Sequence, residues 1–509
     1  MSRATLDDYR TEADQVKTVK GPRTYRNVEL ALVIIAVIVA GGAYALVGIG
    51  ASGEIPANVY SYTGVIAAFG IGMNIVLRFR AKYADPVLLP IAVMLNGLGL
   101  AMIFRIGVAK GSTRTADSQL IWMGLGVILC AAVIFVLRDH RILRNWPYIA
   151  FLVGVVFLLL PLLPGLGRTI NGSRIWIGLG PFSFQPGEIA KIFLAVFFAG
   201  YFVNYRDQLR LAGPRFLGVR LPRLRDTGPL IIAWIIAVAV MVFQTDLGSA
   251  LLFFGLFVAM LYVATGIKTW IFLGLSMFAA AAVSAYFLFA HFSQRVDAWL
   301  NALSPEEFNR KPGGSYQLVQ GMFGMANGGL FGKGFGEGRP QIVPYSDSDF
   351  IIASFGEEIG MIGLFAILML YLIMFQRGVK IAGSLRDQFG TLLALGLSFL
   401  MAFQTFIVVG GVTRLIPLTG LTTPFLAAGG SSLVANWIIL GLLLRMSDNA
   451  RRPQEEFQTG VLRAVTDTSP RVRTDDEADV EAGEDSFATT DYNPSTSGYA
   501  PKPAGGEQQ

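Results

Sequence analysis

Asp349 closes the run Ser346-Asp347-Ser348-Asp349 and is followed at once by Phe350-Ile351-Ile352. A carboxylate where a long polar loop meets an apolar helix loses part of its hydration, which costs free energy unless it has a partner or a task. An ionised carboxylate in such a place can take the proton of a bound hydroxyl and so act as a general base. Glu357 and Glu358 follow on the next span. Glu357 falls on about the same helical face as Asp349, about 12 Å deeper by helical rise. A polar contact between helices is the plainer role for that pair.

Glu188 and Lys191 are three residues apart at the start of another apolar run, a spacing at which two helical side chains meet. They are either a structural ion pair or part of a charged cavity. Upstream, Arg174 beside Trp176 suits an interfacial amphipathic segment, since aromatic rings favour the headgroup level and guanidinium matches phosphate. Asp246 precedes Leu247-Gly248 in a tight polar hairpin, where capping of the next helix is the plainer role. The run from Gly328 to Gly338 fails the phosphate-loop pattern, because Gly334 stands at the Ser/Thr position and no strand precedes it. A glycine-rich loop close to a substrate fits better. His140 and His291 fall in loops at span ends, and no metal-ligand spacing is visible.

The elements that hold these residues are membrane spans. The 509 residues are 53% hydrophobic and 15% charged, far less charged than a soluble domain. The lone cysteine, Cys130, excludes a disulfide framework. At about 20 apolar residues per crossing, spans are expected at 28–49, 59–77, 86–104, 120–137, 146–163, 189–203, 229–243, 247–263, 270–289, 350–375, 391–409 and 424–444, about 12 in all. Every second loop is rich in arginine and lysine, which puts both termini in the cytoplasm and explains the net charge of +6 without nucleic acid. Two long loops, 164–187 and 292–349, then face outward, and loops of that length are usually functional. No cleavable leader is expected. Residues 1–27 form a polar cytoplasmic segment, and 448–509, rich in Asp, Glu, Ser, Thr, Pro and Gly, an expected disordered cytoplasmic tail.

Six blocks, in order, resemble the RodA/FtsW family of shape, elongation, division and sporulation proteins. They are Asn171-Gly172-Ser173-Arg174-Ile175-Trp176; Phe184-Gln185-Pro186-Gly187-Glu188-Ile189-Ala190-Lys191; Gln244-Thr245-Asp246-Leu247-Gly248; Ser315-Tyr316-Gln317 with Gly328 to Gly334; Asp349-Phe350-Ile351 with Gly356-Glu357-Glu358; and Gly420 through Thr423-Pro424-Phe425 to Ser431-Ser432. The chain departs from the family pattern at Thr245, at Asp347 and Ser348, and at Ala427 and Ala428, which bears on local loop geometry. The resemblance implies an all-α polytopic membrane protein, a core of about ten spans at 86–447 preceded by two additional spans at 28–85, which lean toward the RodA branch.

It also implies a peptidoglycan glycosyltransferase of the plasma membrane, supporting cell elongation and shape. The implied substrate is lipid II, undecaprenyl-pyrophosphate-linked, and transfer is inverting. Asp349 is the implied catalytic base. Arg174, Trp176, Glu188, Lys191, Asp246, Gln317, Lys333, Ser431 and Ser432 are the implied substrate-binding residues. A divalent cation, Mg or Mn, is left open as cofactor. The implied partners are a class B penicillin-binding protein (a transpeptidase) and other elongation machinery. A lipid II flippase, a division-specific FtsW-type polymerase and a scaffold without chemistry are the competing readings.

Overall fold

The computed structural model describes residues 24–453, except 171, 181, 211, 217–218, 223–227, 229–234, 236–243, 245 and 312. The span expected at 229–243 and most of the terminal segments lie outside the described residues. Among the described residues ten helices are long and apolar enough to cross a membrane. They are α1 (Arg26–Ser52), α2 (Val59–Arg80), α3 (Leu88–Ala109), α4 (Arg114–Val136), α6 (Gly187–Arg210), α7 (Leu247–Thr265), α8 (Thr269–Leu288), α13 (Gly360–Ser384), α14 (Gln388–Val412) and α15 (Gly430–Arg451). Between α4 and α6 lies the shorter apolar α5 (Pro147–Leu159). The protein is a multi-pass membrane protein. Uniformly apolar helices bury all round, and α3 and α15 do so at the centre, whereas α8 is left almost wholly on the periphery.

The segment 164–187, expected as a long outer loop with an interfacial amphipathic stretch at Arg174 and Trp176, is ordered into strands. It is an antiparallel sheet of β1 (Gly167–Ile170), β2 (Ser173–Leu179) and β3 (Phe182–Phe184), with Arg168 opposite Trp176 and Ile177 opposite Phe184. A second hairpin, β4 (Ala212–Phe216) with β5 (Val219–Pro222), lies in the basic loop after α6. The large loop is built of α9 (Ala290–Leu300), α10 (Pro305–Asn309) and α11 (Tyr316–Gly328), and ends in a turn before α12 (Ile351–Glu358).

The span expected at 350–375 is broken. α12 stops at Glu358 and α13 starts at Gly360, which has φ +68°. At this break the glycine-rich loop lies backbone against backbone. Lys333 N donates to Glu357 O (3.1 Å), Gly334 N to Glu358 O (2.9 Å) and Met361 N to Gly329 O (3.0 Å). A Cβ on Gly360 would stand 2.3 Å from Gly332 N, so neither side of this contact tolerates a larger residue. Glu357 Oε1 accepts from Arg339 N (2.9 Å) and Asn327 Nδ2 (3.3 Å), and Glu358 Oε2 from Gly336 N (3.1 Å). The two glutamates therefore hold the loop.

α1 and α2, which precede the core, lock onto it at both ends. At one end Gly50 meets Gly336 and Phe335 of the glycine-rich loop so closely that a Cβ would stand 2.2 Å from Phe335 O. At the other, Arg26 pairs with Glu29 (2.7 Å) and also donates to Ala84 O. The C-terminal end of α15 joins the same face. Asp448 accepts from Tyr83 N (2.9 Å) and Arg452 (2.7 Å), and Asp85 pairs with Arg451 (2.7 Å) and Arg377 (3.6 Å). Buried charges without partners are costly in this setting, and these have them.

Arg105 of α3 pairs with Glu358 (3.0 Å) and donates to Gly338 O (2.7 Å), both within the buried core. Arg105→Ala leaves Glu358 without its counter-charge and should cost about 3–5 kcal/mol. Thermal unfolding of the purified variant in detergent checks this, with Lys333→Ala, at an exposed side chain, expected to match the unaltered protein.

Candidate functional site

The turn that presents Asp349 is closed on itself. Tyr345, in the left-handed region at φ +54°, accepts from Ser348 N (3.0 Å) and Phe350 N (3.2 Å) through its carbonyl. Ser346 O accepts from Ser354 Oγ (2.9 Å), and Asp347 O from Ala428 N (2.8 Å). Phe350 is fully buried and anchors the turn, so its neighbour Asp349 is held at the edge with partial exposure. Asp349 Oδ1 is buried with no hydrogen-bond partner. Burial pushes the Asp349 pKa up to about 7, while a backbone hydrogen bond, Arg295 and Gln317 favour the charged form and Asp347 opposes it.

Gln317 comes from the first turn of α11, where its amide also donates to Pro344 O (3.0 Å). Arg295 comes from α9 and is absent from the residues expected to form the site. Its Nη1 donates to Leu418 O and Thr419 O (both 3.1 Å). The same helix is stitched to the loop after α14. Trp299 Nε1 donates to Arg414 O (3.0 Å), and Arg414 returns bonds to Trp299 O and Leu300 O (both 2.8 Å). Burial lowers the Arg295 pKa, while Asp246 and Asp349 both act to keep it charged. The only local signal for it was a cation within an amphipathic stretch of the large loop; its two acidic neighbours are 49 and 54 residues away along the chain.

Asp246 caps α7, with its Oδ1 accepting from Ser249 N (3.0 Å), as the plainer reading of the sequence had it. It does more than cap. Burial raises its pKa, Glu188 adds to the rise, and Arg295 opposes it. Glu188 then leads to Lys191, whose Nζ lies 2.6 Å from Glu188 Oε2 and 3.0 Å from Gln404 Oε1. Gln404 Nε2 donates to Thr422 O (2.8 Å). Glu188, Lys191 and Gln404 thus form a hydrogen-bonded chain, and Arg295 acts electrostatically on both Asp246 and Asp349. The hydrogen bonds end on the loop whose Ala428 supports the Asp349 turn. An ammonium has three donors, and two of those on Lys191 are committed.

Other expected site residues stand elsewhere. Arg174 sits in β2 and donates to Leu163 O (3.2 Å), and Trp176 lies beside it in the same strand. Lys333 is exposed, and it is its backbone that holds the glycine-rich loop. Ser431 and Ser432 are buried in the first turn of α15, where Ser432 O accepts from Asn436 Nδ2 (2.8 Å). Among the described residues no three His, Cys, Asp or Glu are grouped to hold a metal ion.

The family described as cell cycle proteins, FtsW, RodA and SpoVE, matches residues 86–452. A Mycobacterium tuberculosis protein named peptidoglycan glycosyltransferase RodA is 47% identical over 437 residues, 84% of this chain and 92% of the relative. The fold is similar to a chain in a structure of a peptidoglycan synthase complex that coordinates polymerization and crosslinking (TM-score 0.57, 23% identity, 72% of this chain and 98% of that one). It is also similar to Thermus thermophilus rod shape determining protein RodA (TM-score 0.52, 24% identity, 73% and 98%).

Glu188 and Lys191 are both almost fully buried, so removing either strands the other's charge. Glu188→Ala and Lys191→Ala should each lower thermal stability, and the double variant should fall short of the sum by about 0.5–3 kcal/mol. A double-mutant cycle read by unfolding in detergent measures the coupling, and a value of zero rules out an energetic pair.

Proposed function

The chain belongs to the FtsW, RodA and SpoVE family of cell cycle proteins, and on that premise we propose that it is a peptidoglycan glycosyltransferase working on lipid-linked disaccharide at the outer face of the plasma membrane. Both termini then lie in the cytoplasm, as the basic loops require. The observation that carries the reading is Asp349, held at the junction of loop and helix with one carboxylate oxygen lacking any partner and a cation beside it.

Asp349 takes the proton of the acceptor sugar 4-hydroxyl. The resulting oxygen attacks the anomeric carbon of the growing chain from the side opposite the leaving group. The bond from that carbon to pyrophosphate breaks, and the lipid pyrophosphate departs with the electron pair. Configuration inverts. Arg295 keeps Asp349 ionisable despite its burial and offers positive charge at the site where the pyrophosphate develops its own negative charge. Asp246 holds Arg295 from the other side. Glu188, Lys191 and Gln404 form a buried hydrogen-bonded cluster that supports this side of the site. Gln317 orients the carboxylate. No step is routed through a metal ion.

Asp349→Asn keeps the shape and loses the base, so polymerisation of labelled lipid II should fall at least about 100-fold, with membrane insertion unchanged. Glycan strands at near the original rate would sink the assignment, whereas movement of lipid II across vesicles without polymerisation would favour a transporter. The base works ionised, so the rate should rise with pH through about 7 and flatten above it. Removing the cation in Arg295→Gln disfavours the carboxylate, so the same profile should shift to higher pH.

The partner is a single-span class B penicillin-binding protein. The similarity to a chain of a synthase complex supports that reading. Polymerisation by the co-purified pair should exceed that by the chain alone, and equal rates would count against it.

A further inference from the structure

A cavity of about 630 Å³ opens between the turn after α4, the start of α5 and the end of α6. Arg141, Ile142, Arg144, Asn145, Pro147, Tyr148 and Asn204 line it. It is remote from Asp349. The N-terminal end of α15 adjoins Asp347 through Ala428, while its C-terminal end adjoins this turn through Asn449, whose Nδ2 lies 3.1 Å from His140 Nδ1. The two sites are separated by roughly the 33 Å length of that helix.

We propose that this cavity binds the headgroup of an anionic phospholipid. None of its described lining residues carries a carboxylate, whereas two carry guanidinium and two carry amide donors. Several arginines elsewhere are occupied: Arg451 by Asp85, Arg452 and Arg445 by Asp448, and Arg206 by Ala264 O. Arg141 is only half committed, at 3.5 Å from Asp387, and remains 52% exposed. Arg144 is exposed and makes no ion pair or side-chain hydrogen bond among the described contacts. Two nearby carboxylates, Asp139 and Asp387, face His140, and Asp387 Oδ1 divides itself between His140 Nε2 (2.9 Å) and Arg141 (3.5 Å), while neither pairs with Arg144 among the described contacts. The first residue of α5, Pro147, is part of the wall, which brings the positive end of a helix dipole to the same place.

The rest of the ligand is argued from the surface next to the cavity. Tyr148, Leu152, Val156 and Leu159 recur at helical spacing along α5, and all are exposed. They form an apolar strip that begins at the cationic mouth and runs down the helix. Trp146 and Ile142, also exposed, flank its start at headgroup level. A free phosphate would use the arginines and leave the strip unused. A phospholipid uses both, with the phosphate at Arg141 and Arg144 and an acyl chain along α5. A zwitterionic headgroup would bring its own cation against the two guanidinium groups.

The test uses the full chain purified in detergent and a fluorescent phosphatidylglycerol, with phosphatidylcholine and inorganic phosphate as competitors. Phosphatidylglycerol should bind at least tenfold more tightly than phosphatidylcholine. Arg144→Gln should weaken it about fivefold, and Arg141→Gln with Arg144→Gln about 30-fold, the loss expected for one and two basic residues near an anionic surface. Lys268→Gln, an exposed cation in another basic loop, should leave it unchanged. Unfolding midpoints without added lipid, expected to be the same for Arg144→Gln and the unaltered chain, exclude misfolding as the cause. Equal binding of the two lipids overturns the proposal, as does an equal loss in Lys268→Gln, which would mean diffuse charge. Displacement of the lipid by inorganic phosphate at comparable concentration would assign the cavity to a free anion and overturn the lipid reading.

Discussion

Two half-buried carboxylates from distant parts of the chain, Asp246 and Asp349, both act on the charge of one arginine, Arg295. Burial favours the neutral form of each carboxylate, and Arg295 acts with local hydrogen bonds to favour the charged form. The arginine must itself be held, because a flexible guanidinium would leave for water. The loop after α14 does this by taking two bonds from Arg295 and sharing three more with Trp299 and Leu300. That loop pays for its shape with left-handed backbone at Arg414 and Phe425, both non-glycine. Strain at these positions is sustained by the surrounding hydrogen bonds and places the supports of Arg295 and of the Asp349 turn on one segment.

The same economy of partners governs the far side of the Asp349 turn. Glu357 and Glu358 are spent on backbone amides of the glycine-rich loop and on Arg105. Engaged in this way they brace the loop, which on the proposed reading leaves Asp349 as the base. The additional helix α1 closes the arrangement by meeting the glycine-rich loop backbone to backbone at Gly50. A segment that precedes the family region thereby buttresses the loop that braces the break after Glu358.

Hydropathy and charge made most of the spans legible, because a crossing needs a long apolar run and little else. The Glu188–Lys191 pair was legible because helical spacing is local. Asp349 stood out because its sequence context changes from polar to apolar within one residue. Arg295 was not legible, since nothing in its own segment reveals that α9 folds back toward the start of α7. The sheet at 167–184 was legible in part, since Arg174-Ile175-Trp176-Ile177 alternates with the period of a strand, but its pairing with 167–170 and 182–184 is not a local signal. The break at Gly360 depends on a loop some 30 residues earlier pressing on it, which no local pattern contains.

A general base must be ionised when substrate arrives and still hold its proton once taken, so its pKa belongs near the working pH. Burial alone would carry Asp349 too far and leave it protonated. Full pairing would carry it back to an ordinary, weakly basic carboxylate. Arg295 cannot pair fully with Asp349, because it also faces Asp246 and spends donors on two carbonyls. Burial raises the Asp349 pKa, a backbone hydrogen bond and then Arg295 oppose it, and the balance lies at about 7. On the proposed reading Asp246, far from the chemistry in sequence and already useful as a helix cap, reaches the base only through Arg295, which it helps Asp349 to keep charged.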